Sequence, residues 1–157
     1  MRFEFHPTNT NLFGELLYLK NECSLLYRPF NPNVGIGILC GGYVELNVIY
    51  ETGQVVHLSG LSPKSTWSSM EEKVPESIRG NLFVYFNTLL VKGSGVEYNR
   101  CWQTYHNEKE SSICIGDYQS FPEDICIEFA NDVFAVLRGN QLVAIWAKIR
   151  ETEGLAQ

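Results

Sequence analysis

Val44, Leu46 and Val48 alternate with Tyr43, Glu45 and Asn47, a period of two that predicts a half-exposed β-strand. Glu51-Thr52-Gly53-Gln54 supplies a tight turn with glycine where positive φ is expected, and Val55 to Ser59 returns as the partner strand. Asn81 to Phe86 is continuously apolar and aromatic, which at this length predicts a central strand covered on both faces. Trp67 to Val74 reads as a short edge strand that ends at Pro75. Further strands are predicted at Gly95 to Tyr98, Cys101 to His106, Ser112 to Ile115, Ile125 to Phe129, Val133 to Arg138 and Gln141 to Ile149. Gly139-Asn140 between the last two is a two-residue hairpin signal, with glycine at the first central position of a type II′ turn.

One segment departs from this period. Leu12, Phe13, Leu16, Leu17 and Lys20 follow Thr10, a capping residue, at helical spacing, so Thr10 to Asn21 is predicted as a helix. The stretch Arg28-Pro29-Phe30-Asn31-Pro32-Asn33 then forms a loop, because proline fixes φ and biases its predecessor away from helix. Strands recurring every eight to twelve residues or so, without helices between them, favour an antiparallel meander over a parallel α/β sheet. The expected fold is mainly β, all-β or β-rich α+β: a barrel or sandwich with one short N-terminal helix. No linker or repeat divides the chain, so residues 1–157 are read as one domain, with Arg150 to Gln157 fraying.

Composition fits a packed domain: 45% of the 157 residues are hydrophobic and 19% charged, far from the signature of disorder. The longest run free of charged and strongly polar side chains, Val34 to Val44, contains four glycines and is too short to cross a bilayer. The first seven residues meet an acid at Glu4 and a proline at Pro7, so they do not read as a secretory signal. Five widely spaced cysteines, an odd number, suit reduced thiols and a cytoplasmic setting. Cys114 and Cys126, each between isoleucines, are expected to behave as small hydrophobes.

Catalytic chemistry finds little support. Metal sites are legible as C-x-x-C or H-E-x-x-H pairs, and neither occurs. Cys101 and His106, with four residues between them, would point to opposite faces of a strand, so no metal and no cofactor is predicted. A thiol hydrolase would pair Cys40 or Cys101 with His57 or His106, and Cys40 does precede the break at Gly41-Gly42. Gly35, Gly37, Gly41 and Gly42 lead into a strand rather than a helix, which argues against a phosphate-binding loop. Trp146 sits in an apolar run and is expected in the core, whereas Trp67 and Trp102 stand among polar residues near turns.

The formal charge of −6 disfavours nucleic acid and fits a cationic protein partner, because a negative surface speeds encounter with a positive one. The expected role is therefore a non-enzymatic acidic protein-binding domain. That profile is shared by the immunity proteins that neutralise basic toxins or nucleases. The candidate interface residues are Glu71, Glu72, Glu76, Asp117, Glu123, Asp124, Glu128, Trp67 and Trp102. Two alternatives remain open: a small-ligand-binding β-barrel with aromatics lining a cavity, and a hydrolase using Cys40 or Cys101 with a histidine.

Overall fold

The structure is a computed structural model that describes residues 1–155. Its strands are β1 (Arg2–Pro7), β2 (Glu15–Leu19), β3 (Ser24–Arg28), β4 (Val34–Cys40), β5 (Tyr43–Ile49), β6 (Gln54–Leu61), β7 (Ser68–Ser69), β8 (Ile78–Tyr85), β9 (Gly95–Asn99), β10 (Thr104–Asn107), β11 (Ser112–Gly116), β12 (Ile125–Ala130), β13 (Val133–Arg138), β14 (Gln141–Lys148) and β15 (Arg150–Thr152). A single 3-10 turn at Lys64–Thr66 interrupts them, and no α-helix forms among the described residues.

All fifteen strands belong to one curled sheet that makes a half-barrel rather than a closed barrel or a sandwich. The sheet is mixed, not antiparallel throughout: β4 with β9, β8 with β12, β10 with β7 and β15 with β2 are parallel ladders. One arm runs β9-β4-β5-β6-β8-β1. The other leaves β8 at Ile78 and Arg79 and continues β12-β13-β14-β11-β10-β7. The β5–β6 and β13–β14 hairpins form where the sequence predicts them.

The helix predicted over residues 10–21 is replaced by β2. Leu16, Leu17, Tyr18 and Leu19 are each at most 2% exposed, and four consecutive buried side chains suit a strand covered on both faces better than an amphipathic helix. β3 pairs with one edge of β2 and β15 with the other. Gly14, at φ 115°, puts a left-handed break inside the segment that the helix would have needed. Short apolar runs carry either period, and here the tertiary neighbours decide.

The C-terminal tail also departs from expectation. Residues 150–152 form β15 instead of fraying, and the Arg150 guanidinium donates to both oxygens of Glu15, each at 2.9 Å. Residues 156–157, the rest of the predicted frayed end, lie outside the described residues. Glu15 also accepts from Arg28 at 2.8 Å, and these two guanidinium groups hold its carboxyl down at about 2. The segment expected as an edge strand over residues 67–74 is a strand only at Ser68–Ser69. In β8, Leu82 and Val84 are buried while Phe83 is half-buried and Tyr85 exposed, so that strand is one-sided rather than covered on both faces.

The concave face is filled by Ile38, Leu46, Val48, Leu58, Leu82 and Ile145, all fully buried. A smaller cluster covers the opposite face of the C-terminal strands, where Cys114, Cys126, Phe134 and Trp146 pack with Met70. Trp146, Cys114 and Cys126 thus occupy core positions, as their sequence surroundings suggest.

Gly60, in β6, has φ 127°, and a Cβ there would run into the Tyr43 carbonyl oxygen of the paired strand. Gly60→Ala combines left-handed strain with overpacking and should cost about 2–4 kcal/mol in urea-unfolding experiments. A loss below about 0.5 kcal/mol, the range of an ordinary surface change, would contradict this register.

Candidate functional site

Residues 70–77 cross the outer face of the C-terminal strands as a strap. Met70 and Val74 pack into the smaller apolar cluster, which turns Glu71, Glu72 and Lys73 outward. The strap is fastened to β10. Met70 N–H donates to the His106 carbonyl at 3.0 Å, and the buried Asn107 side-chain amide donates to the carbonyls of Glu71 at 3.2 Å and Glu72 at 2.9 Å. Glu71, Glu72 and Glu76 are exposed, and the nearby ion pair, Lys73 with Glu110 at 3.4 Å, leaves their carboxylates without a cation. Glu108, exposed next to Asn107, adds a negative charge beside the strap that the equally exposed Lys109 offsets.

The remaining candidate acids are scattered and mostly committed elsewhere. Asp124 accepts two hydrogen bonds from Arg138, at 2.7 and 2.9 Å, and a third from Phe121 N–H; Arg138 holds its carboxyl below the usual carboxylate range. With its side chain 5% exposed, Asp124 is an internal ion-pair partner. Glu128 is 14% exposed, accepts from Asp132 N–H at 2.9 Å and lies 3.6 Å from Arg79. Asp117 approaches Arg138 at 3.9 Å and accepts from Gln119 N–H. Glu123 is exposed but sits with Asp124, away from the strap.

The two tryptophans are both half-buried. Trp67 donates its indole N–H to Ser62 Oγ at 2.8 Å and packs against Tyr18 and His106, so it anchors the start of the strap. Trp102 meets Tyr98 edge-on at 5.6 Å and borders two open clefts. Tyr43, Arg100, Gln103 and Gln141 line those clefts and were not legible as site residues: Arg100 and Gln103 flank Trp102 without forming a motif, and Tyr43 and Gln141 come from distant strands.

The Cys40 thiol is fully buried, bonds only to the Ile38 carbonyl and is pushed up to about 12 by desolvation. Cys101 is exposed. Neither histidine joins them. His106 packs edge-on against Trp67, and His57 belongs to a separate polar network. Gly41 and Gly42 form the turn between β4 and β5, with their N–H groups already donated to the Asn99 and Arg100 carbonyls.

That network explains why Asn47, on the face expected to be solvent-exposed, is 3% exposed. His57, also buried, sits 2.9 Å from Asn47 Oδ1 through Nδ1, and its Nε2 accepts from Asn31 N–H at 3.2 Å. Ser59 donates to the same Asn47 oxygen, and the rings of Tyr27 and Phe30 flank the imidazole. Since Nε2 faces a donor, Nδ1 carries the proton and the ring is neutral. Burial lowers the His57 pKa to about 4.

No protein-family model matches the sequence, and no curated protein matches it.

Because the unfolded chain protonates His57 near pH 6.5 and the folded one only near 4, stability is full above pH 6.5 and declines as pH falls towards 4. Urea titrations at pH 7.5 and pH 5 should differ by about 2 kcal/mol from this group alone. In His57→Gln that part of the loss should disappear, leaving only the part due to His106, whose pKa burial also lowers. An unchanged loss in the variant would show that the imidazole is not the titrating group.

Proposed function

We propose that the chain is a non-enzymatic protein-binding domain that presents the acidic strap over residues 70–77 to a basic partner, in the manner of an immunity-type inhibitor of a cationic toxin or nuclease. The observation that supports this reading most directly is the fastening of the strap. Apolar anchors below and Asn107 beside it hold the backbone, while Glu71, Glu72 and Glu76 face solvent without cations. A pre-ordered backbone lowers the entropic cost of binding, and a net negative surface steers an oppositely charged partner into contact.

Charge elsewhere is largely neutralised in place. Arg100 pairs with Glu97, Arg138 with Asp124, Arg28 and Arg150 with Glu15, and Lys64 with Glu151. The strap is therefore where uncompensated negative charge is concentrated on an ordered backbone. The strap also continues the short edge strand β7, and carboxylates along such an edge discourage pairing between copies of the same chain. A ligand-carrying barrel fits less well, because the concave face is filled by side chains. A thiol hydrolase fits less well too, because the buried Cys40 thiol has no histidine beside it.

The triple variant Glu71→Lys, Glu72→Lys, Glu76→Lys tests this reading. Immobilised wild-type chain should retain a basic protein from its native lysate at near-stoichiometric yield, with association slowing steeply as salt rises. The variant should associate with the same protein on the order of 10-fold more slowly at low salt. Retention of nothing by the wild type, or equal retention by the variant, would overturn the proposal.

A further inference from the structure

Trp102 lies in the connection between β9 and β10 and is the shared wall of two adjoining clefts. The first, about 340 Å³, is lined by Tyr43, Ser62, Thr66, Arg100 and Gln103 around Trp102. The second, about 440 Å³, is lined on its other side by Tyr98, Asn99, Asp117, Arg138 and Gln141. We propose that this pair of clefts binds a neutral oligosaccharide, with sugar units seated on either side of the Trp102 ring. The site is separate from the acidic strap and does not depend on the reading of the strap.

The charge balance within the clefts selects a neutral ligand. Arg100 donates to Glu97 at 3.1 Å and lies over the Tyr43 ring at 5.4 Å. Arg138 is held bidentately by Asp124, with Asp117 at 3.9 Å and the Phe121 ring beneath it at 4.4 Å. Each cation thus already has a carboxylate that offsets its charge, which disfavours a phosphate or a carboxylate from solution. The backbone offers no anion cradle either, since the Gly41 and Gly42 N–H groups are consumed by Asn99 and Arg100 carbonyls.

What remains free is what hydroxyl groups need. A sugar hydroxyl both donates and accepts, so its site requires amides and hydroxyls of both kinds. The Gln103 amide nitrogen is spent on the Thr66 and Thr104 carbonyls, which fixes the side chain and leaves its oxygen as an oriented acceptor. The Asn99 oxygen accepts from Cys101 N–H, which leaves its NH₂ as a donor. On one side the Thr66 hydroxyl, whose hydrogen goes to the Pro63 carbonyl, keeps its lone pairs to accept, and Ser62 Oγ, which accepts from Trp67, keeps its hydrogen. On the other side the exposed Gln141, whose oxygen lies 3.2 Å from the Tyr98 hydroxyl, keeps its NH₂ as a donor. Aromatic surface completes the set: Tyr43 is 63% exposed, and Trp102 is only half-buried. The C–H face of a pyranose carries slight positive charge and packs on the negative face of an aromatic ring, which orients the sugar without a formal charge. Two clefts on one ring match a chain of at least two units rather than a single sugar.

The test is ¹⁵N-resolved NMR of the full chain, following the Trp102 indole N–H and the Gln103 side-chain amide during titration with maltotriose, cellotriose and N,N′,N″-triacetylchitotriose. At least one should give saturable shifts with Kd at or below about 1 mM. Because Trp102 also packs against the core, Trp102→Phe serves in place of a truncation, and Gln103→Ala provides a second, independent variant. Each should weaken that sugar by about 10-fold while leaving the rest of the spectrum in place. The Glu71→Lys, Glu72→Lys, Glu76→Lys variant should bind the sugar like wild type. The proposal is overturned by the absence of saturable shifts with all three sugars up to about 10 mM. It is overturned equally by unchanged binding in both variants, or by glucose 6-phosphate or a neutral tripeptide shifting the same resonances more tightly than the sugars.

Discussion

A curled sheet cannot keep water from its concave face until something spans the gap between the edges that flank it. The branched sheet ends at β15, β7, β1 and β9, and the gap over the concave face lies between β1, which pairs only with β8, and β9, which pairs only with β4. The start of β14 spans them. Phe3 N–H in β1 donates to the Asn140 carbonyl at 2.9 Å, and the Tyr98 hydroxyl in β9 donates to the Leu142 carbonyl at 2.8 Å. The Phe3 and Tyr98 rings meet edge-on at 5.5 Å between these two bonds. The tip of the β13–β14 hairpin thus acts as the stave that the half-barrel lacks. Phe3, 1% exposed, and Leu142, 2% exposed, are buried where the arms meet.

The surface features follow from that closure. Tyr98, fixed by β14, is the ring against which Trp102 packs, so the two clefts inherit their geometry from the same contact. The hairpin that closes the concave side also supplies Phe134, Val136 and Trp146 to the opposite face, and these residues carry Met70 of the strap. One hairpin therefore supports both the aromatic clefts and the acidic strap. Its own ladder is strong by composition, since β13 is almost entirely buried on both faces.

The sequence conveyed the β character and both hairpins, because period-two alternation and two-residue turns are local signals. It did not convey β2, where Leu16 to Leu19 satisfy either period and only the flanking β3 and β15 decide between them. β1 and β4 were missed for different reasons: β1 does alternate, Phe3 and Phe5 against Arg2, Glu4 and His6, but offers only two apolar positions, and β4 is interrupted by Gly35 and Gly37. The parallel ladders were illegible as well, because pairing between segments far apart leaves no local trace. Of the candidate acids, Glu71, Glu72 and Glu76 stand exposed together on the strap, while Asp124 and Glu128 are turned inward by arginines 14 and 49 positions away in the chain. Trp102, a candidate from its polar surroundings, is half-buried with Arg100 and Gln103 beside it in the chain, but its companions Tyr43 and Gln141 come from separate stretches.

Closure by the hairpin tip is the claim on which the clefts and the filled concave face both rest. Native-state hydrogen exchange at the Phe3 amide tests it most directly, because an N-terminal residue ordinarily exchanges by fraying. If Asn140 holds that amide in the closed half-barrel, Phe3 exchanges only with global unfolding, as slowly as Ala135 in the middle of β13. Exchange at the rate of an unprotected terminal amide, with Ala135 still protected, would mean that the gap stands open and the account of this fold is wrong.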